Sequence, residues 1–357
     1  MKKLLLAGAG RAHLYLLNEL RQNRLPDVSV TLLTLSKYKY SREMFAGFAE
    51  GIYDLNDIRM DVGRLFELAG AEWIEGAAVS IDPEQKVVLT DQGKIIDYDV
   101  VSFDIGTLTE ETNKPGVLEY AETLRPHQKL PDVMERILHS DRLVLAGRGA
   151  VCTEMALSLQ ARRHREGRTP VVWIGSAFDS TSRKAKHIAM KKIRASGIAF
   201  HEGVEVKEAQ KEKIVTADNQ PFLYDSLLWM QPPRPHQMFA ASLPVDRDGY
   251  LLVEETLQVK QHPSIFGAGN CVSISGYGHI DHEGRYSMGQ PQILWENIKG
   301  FLGDGEGALY RPSETLSLFS TGNQSAVALY KDKAFGGKWV WSYKNRLDRR
   351  FIKKASP

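Results

Sequence analysis

Near its start the chain carries a short apolar run that ends in two closely spaced glycines, LLLAGAGRAH at residues 4–13. Residues 2–7 read as a buried strand, and Leu14, Leu17 and Leu20 recur at helical spacing until Pro26 stops the pattern. A second continuous apolar run, VSVTLLTLS, follows. Strand, glycine turn, helix and strand in quick succession predict a βαβ unit, with Gly8 and Gly10 where a parallel sheet hands over to a helix N-terminus. Without a Cβ at these positions the backbone turns tightly, and a pyrophosphate can approach the first helical amides. A third glycine usually closes the pattern and lets helix and strand pack closely; His13 stands in its place.

The same layout returns about 140 residues later. DRLVLAGRGAVCTEMALSLQARRHREG reads as a strand over 143–146, a turn with Gly147 and Gly149, and a helix over 151–163, before the strand TPVVWIG. Between the two units, turn signals at Asp82-Pro83 and Gln92-Gly93 divide strand-like runs into a small antiparallel ribbon. A comparable ribbon follows the second unit, and GYLLVEETLQVKQHPSIFGAGNCVSI then supplies a strand ending in Gly267-Ala268-Gly269. The expected class is α/β: two Rossmann-like dinucleotide-binding domains, the second inserted in the first, and a short C-terminal region ending in a helix.

Composition removes several alternatives. A chain of 357 residues exceeds what one core usually serves, and 43% hydrophobic with 25% charged residues is an ordinary globular balance. A net charge of +2 gives no overall field for nucleic acid. Two cysteines, Cys152 and Cys271, form no disulfide framework and no CxxC pair, so both read as buried small residues in a reducing cytoplasm. The start MKKLLLAGAG mimics a secretion signal, but its apolar run is short and Arg11 follows. No stretch approaches the ~18 apolar residues of a spanning helix.

The glycine turns, YDVVSFDIGT, LVLAGRGAVCTEMA, SIFGAGNC, GRYSMGQPQILWENI and WVWSYKNRLDRRFIKK occur in an order that resembles one family nearly end to end. It is the pyridine nucleotide-disulfide oxidoreductase superfamily of two-dinucleotide flavoproteins, in the branch of type II NADH dehydrogenases and of the flavoprotein domain fused to selenophosphate synthases. The resemblance implies an FAD-binding unit over 1–112 and 236–305, an NAD(P)H-binding unit over 113–235 and a C-terminal region over 306–357. It implies an enzyme in which hydride passes from NADH or NADPH to FAD and electrons pass on to an acceptor, often a quinone. Carried onto this sequence, the cofactor contacts are Gly8, Gly10, His13, Ser36, Gly106, Gly269 and Asn270 for the flavin, and Gly147, Gly149 and Glu154 for the nicotinamide nucleotide.

Two positions depart from the family pattern. The acid expected after the second strand for the adenosine ribose is absent, leaving Thr34 and Ser36, and the usual Gly-Asp of the third flavin motif is Gly269-Asn270. After VVWIG no acid selects NAD, and Ser176 with Arg183 or Lys184 would equally accept a 2′-phosphate, so NADH against NADPH stays open. His279, His282 and Gln290 are the candidate catalytic residues; a histidine or a helix end near the flavin would stabilise its reduced charge. His279, His282 and Glu283 lack a fourth ligand, so no metal site is expected. The quinone-associated AQxAxQxG motif is missing.

Residues 338–354 carry seven Lys or Arg against one acid, with Trp339, Tyr343, Leu347 and Phe351 at i, i+4 spacing. Such a helix either lies on the cytoplasmic membrane face or packs back on its own core. A homodimer is a further option. Two rival functions keep the fold: a non-catalytic dinucleotide-binding sensor or interaction protein with an eroded flavin site, and a soluble flavin-dependent reductase of a small molecule.

Overall fold

The computed structural model describes residues 1–177, 183–277, 289–303, 307–313, 316–331 and 333–355, apart from the side chains of residues 183 and 185. Strand β1 (Lys2–Ala7) leads through the first glycine turn into helix α1 (Arg11–Gln22) and strand β2 (Val28–Thr34). Strands β3 (Glu72–Glu75) and β4 (Val100–Phe103) complete the first parallel group, with β4 beside β1 and β3 beside β2. Between β3 and β4 lies the expected ribbon, with strands Ala78–Asp82, Val87–Thr90 and Ile95–Asp97 turning at the two predicted places.

The second unit forms its own four-stranded parallel sheet. Strand β5 (Leu143–Gly149) feeds helix α2 (Ala150–Arg165), followed by β6 (Val172–Ala177), helix α3 (Arg183–Ser196), β7 (Ala199–Glu202) and β8 (Ser226–Met230). The sheet order is β7-β6-β5-β8. Strand β5 continues to Gly149, three residues beyond the predicted end, because it pairs with β6 through the glycine turn. That pairing requires glycine: a Cβ at Gly147 would lie 2.2 Å from the Met230 carbonyl oxygen, and one at Gly175 1.9 Å from the Gly147 carbonyl oxygen.

The chain then returns to the first sheet with β9 (Leu251–Val253), β10 (Gln258–Val259), β11 (His262–Gly267) and β12 (Val272–Ile274). Eight strands result, in the order β12-β9-β10-β11-β4-β1-β2-β3. The two passages between the sheets run side by side, Leu108–Thr109 pairing antiparallel with Pro233–Arg234. Helix α4 (Gln290–Leu302) packs on α1, and the C-terminal region forms an antiparallel sheet of β13 (Ser317–Ser320), β14 (Ala326–Tyr330) and β15 (Lys333–Gly337) before helix α5 (Lys338–Ala355).

Burial follows the sequence pattern closely in the first unit. Leu4, Leu5, Leu6 and Ala7 are buried, as are Leu14, Leu16, Leu17 and Leu20 on α1. His13 is also on that inner face and fully buried. Its Nδ1–H donates to the Gly8 carbonyl at 2.7 Å, leaving Nε2 to accept from the Ser102 hydroxyl at 2.9 Å. Burial lowers its pKa, against the pull of Asp104, so the ring is a neutral clamp between the turn and β4. Replacing His13 with Ala opens a cavity and strands two buried polar groups. The expected loss is about 3 kcal/mol in denaturant unfolding, and a loss below about 1 kcal/mol would show that the ring is not a clamp.

Candidate functional site

The first glycine turn opens onto a cavity of about 410 Å³, within the roughly 300–1,000 Å³ usual for small-molecule sites. Gly8, Gly10, Thr34, Gly106, Gly269 and Asn270 all line it, so the three flavin-type segments converge although they lie far apart in the chain. One buried acid joins them. The Asp104 amide donates to the Ala7 carbonyl at 2.9 Å, and its carbonyl accepts from the Gly10 amide at 3.1 Å. Its Oδ2 accepts from the amides of Ala12 at 2.8 Å and His13 at 3.3 Å, which caps α1 with a negative charge.

The glycines are needed here for close approach. At Gly8, with φ +92°, a Cβ would meet the Asp104 carbonyl oxygen at 2.4 Å; at Gly10 it would meet the Asp104 carboxyl carbon at 1.9 Å. A Cβ at Gly269 would fall 2.3 Å from Asp104 Oδ1. The cavity therefore has glycine walls of the kind a dinucleotide needs, with the chain's own Asp104 carboxylate set between them.

Other expected contacts fall elsewhere. His13 turns its ring into the core, as described, where it holds the Gly8 carbonyl and Ser102, and its side chain is not part of the cavity wall. Ser36 lies just beyond the cavity wall, where its hydroxyl accepts from the Tyr38 amide at 3.0 Å. Glu154 is engaged by the C-terminal sheet. Its Oε1 accepts from the Ser320 amide of β13 at 2.7 Å, and burial raises its pKa despite Lys344 and Arg42. Gln290 is buried at the start of α4 and accepts from the Gly269 amide at 2.7 Å, which braces the third flavin motif. His279 and His282, with Glu283, lie outside the described residues.

A second cavity of about 30 Å³ lies at the end of the second unit's turn, lined by Arg148, Val151, Cys152 and Met155. Arg42, Arg125 and His127 belong to the walls of both cavities. Arg148 of the second glycine turn thus shares the small cavity with side chains that also line the larger one. Arg148, between Gly147 and Gly149, is paired with Glu110 at 2.9 Å and Glu111 at 3.1 Å, which pins this turn to the passage between the sheets. Cys152 and Cys271 are both buried and in no disulfide, and burial, with Asp104, pushes the Cys271 thiol up to about 12. Neither is placed for thiol chemistry.

Helix α5 contributes one residue to the wall of the larger cavity and buries a mixed face. Val340, Lys344 and Asp348 are buried, with Lys344 Nζ 2.7 Å from Asp348 Oδ2 and also bonded to the Glu43 carbonyl. Trp339, Tyr343 and Leu347 are 63%, 46% and 39% exposed. Of the predicted stripe only Phe351 turns inward: it lines the larger cavity, and the Arg11 guanidinium lies 4.5 Å from its ring centre. Among the described residues no helix is long and apolar enough to cross a membrane.

A family model described as pyridine nucleotide-disulphide oxidoreductase matches residues 2–292. The chain belongs to that family. As a member it is an FAD-dependent oxidoreductase of pyridine nucleotides, with the α/β two-dinucleotide fold expected of one. It is similar to the NADH dehydrogenase-like protein YutJ of Bacillus subtilis, with 23% identity over 77% of this chain and 78% of the relative. It is also similar to the type II NADH:quinone oxidoreductase of Staphylococcus aureus, with 18% identity over 99% of this chain and 96% of the relative. Among solved structures, NDH2 of Plasmodium falciparum in complex with NADH superposes with a TM-score of 0.80 at 14% identity, covering 99% and 97% of the two chains. The sulfide:quinone oxidoreductase of Aquifex aeolicus superposes with 0.74 at 17%, covering 99% and 91%.

Within this oxidoreductase several wall residues were not singled out by their sequence: Lys39, Arg42, Glu43, Asp104, Arg125, His127, His236 and Phe351 except as part of the stripe. A signal for two of them exists. The tetrapeptide Arg-Pro-His-Gln occurs at 125–128 and again at 234–237, and each copy brings its histidine to the larger cavity. Burial, with Arg125, Arg42 and Lys39 adding to it, pushes His127 down to about 3; burial and Arg234 push His236 down to about 4. Glu43 is held low: burial alone would raise it, but Arg11, 2.6 Å away, and Arg42 prevail.

These shifts fix the sign of a stability effect. A histidine depressed in the fold but ordinary when unfolded costs nothing above about pH 6.5. Below that, the unfolded chain gains protons the fold refuses, so stability falls as pH drops toward 4. Asp348, pushed up to about 6 by burial against Lys344, contributes the opposite slope over part of that window, so the comparison is between variant and wild type. H127F and H236F are expected to flatten the acid limb of the stability profile, measured by urea unfolding from pH 7 to 4. An unchanged slope in both would mean that neither histidine is held neutral.

Proposed function

We propose that this oxidoreductase takes hydride from NADH or NADPH and delivers the electron pair to a quinone while resting on a membrane surface. Relatives named NADH dehydrogenase-like protein and type II NADH:quinone oxidoreductase support the reading. The observation that carries it is helix α5, which places Phe351 in the cavity wall and turns Trp339, Tyr343 and Leu347 outward. Exposed aromatics among Lys338, Arg346, Arg350 and Lys353 suit the boundary between acyl chains and anionic head groups. A lipid-soluble acceptor would then meet the enzyme where the helix meets the cavity.

In this reading the unit over 1–112 and 236–305 holds FAD through Gly8, Gly10, Gly106, Gly269 and Asn270. The unit over 113–235 holds the nicotinamide nucleotide through Gly147 and Gly149. FAD, when bound, supplies the chemistry of accepting a hydride and passing on two electrons. Arg42 and Arg125, on the wall common to both cavities, favour the negative charge that develops there, and His127 stays neutral and orients without adding charge. The net change is NAD(P)H, one proton and quinone converted to NAD(P)⁺ and quinol.

Purified protein is expected to be yellow and to bleach when NADH or NADPH is added without air, with quinone restoring the colour. A colourless protein that takes up no FAD would leave the sensor reading in its place. In flotation with anionic vesicles, the triple change W339S/Y343S/L347S is expected to weaken binding about tenfold or more. Equal flotation of the variant, or none by the wild type, would return the soluble-reductase reading or point to a second copy covering the stripe.

A further inference from the structure

We propose that Asp104 is a resident anion in the flavin cradle, one that competes with the dinucleotide's pyrophosphate and so keeps the bound flavin exchangeable. This rests on the FAD reading of the larger cavity. The amides that a turn of this kind offers to a phosphate are those of the first helical turn. In this chain the amides of Ala12 and His13 already donate to Asp104 Oδ2. The two glycine walls that would make room for the phosphates face the same carboxylate: a Cβ on Gly10 would touch its carbon, and one on Gly269 its Oδ1. The carboxylate therefore fills the cradle from both sides.

Asp104 is only 4% exposed yet lines the cavity, so a phosphate entering there meets its charge across little water. Like charges at such range repel strongly. The cations nearby are partly engaged: Lys39 Nζ donates to the Ala9 carbonyl, and Arg11 is paired with Glu43. The sugar-binding acids that could offset this cost are missing, with Thr34 and Asn270 where the family pattern has carboxylates. Flavin retention thus depends on how far Asp104 yields the helix amides.

The test is FAD binding by the full chain, stripped of cofactor, for wild type, D104N and D104A, using titration calorimetry and thermal melting at fixed ionic strength. D104N keeps the shape and one acceptor but removes the charge; D104A also frees the amides. Both variants are expected to bind FAD at least about tenfold more tightly than wild type and to release it more slowly on dilution. Without FAD they are expected to melt earlier, because α1 loses its cap, and FAD should raise their melting temperature by more than it raises that of wild type. Affinity equal to or weaker than wild type in D104N, with native circular dichroism, overturns the proposal and makes Asp104 a cap or a flavin ligand. No FAD binding by any of the three overturns the flavin reading and this inference with it.

Discussion

The first glycine turn is fastened to the centre of the large sheet by one residue. Asp104 pairs with Ala7 and Gly10 through its backbone and with Ala12 and His13 through its carboxylate, while the His13 ring returns to Gly8 and Ser102. Strand β1, the turn, α1 and β4 are thereby fixed to each other at hydrogen-bond distance. Everything that lines the larger cavity is placed from this frame: Gly269 across from it, Gln290 bracing Gly269, and Lys39 reaching the turn from beyond β2. A glycine at position 13 would allow the usual close packing of helix on strand; this chain gains a hydrogen-bonded ring in that space instead.

Charge is managed differently at the two turns. At the first, an acid of the chain neutralises the helix N-terminus. At the second, Arg148 stands between the glycines and is held by Glu110 and Glu111 from the passage between the sheets. Each turn therefore carries a formal charge of the chain itself, negative at the first and positive at the second. Helix α5 contributes Phe351 to the cavity wall; its Lys344–Asp348 pair is buried against the Glu43 carbonyl, and Trp339, Tyr343 and Leu347 of its apolar stripe are left outside. With Lys344 and Asp348 on the inner face, Trp339, Tyr343 and Leu347 are left exposed beside Lys338, Arg346 and Arg350.

Much of the fold was legible because its signals are local. The apolar runs at 4–7 and 143–146, the glycines after them and the leucines of α1 each follow from backbone geometry and burial acting over a few residues. The site was legible where glycines mark it, at 8, 10, 106 and 269, and less so where side chains decide it. Ser36 stands outside the cavity wall although Leu35 and Tyr38 line it, and Glu154 is bound to β13, because the turn after β2 and the pitch of α2 set the direction of each side chain. Asp104 and the two Arg-Pro-His-Gln segments carry ordinary residue types whose importance comes from partners far along the chain.

By itself the sequence determined the two strand-turn-helix units, the ribbons between them and the amphipathic final helix, since propensity, periodicity and the missing Cβ act locally. It also determined the family, through the order of its motifs. Only the tertiary structure decided that His13 is a buried clamp, that Asp104 sits in the cradle, and that α5 turns its aromatics outward. Those outcomes depend on which groups meet after strands from both ends of the chain have joined one sheet, and on the cost of leaving a charge or a hydrogen-bonding group unpartnered once water is gone.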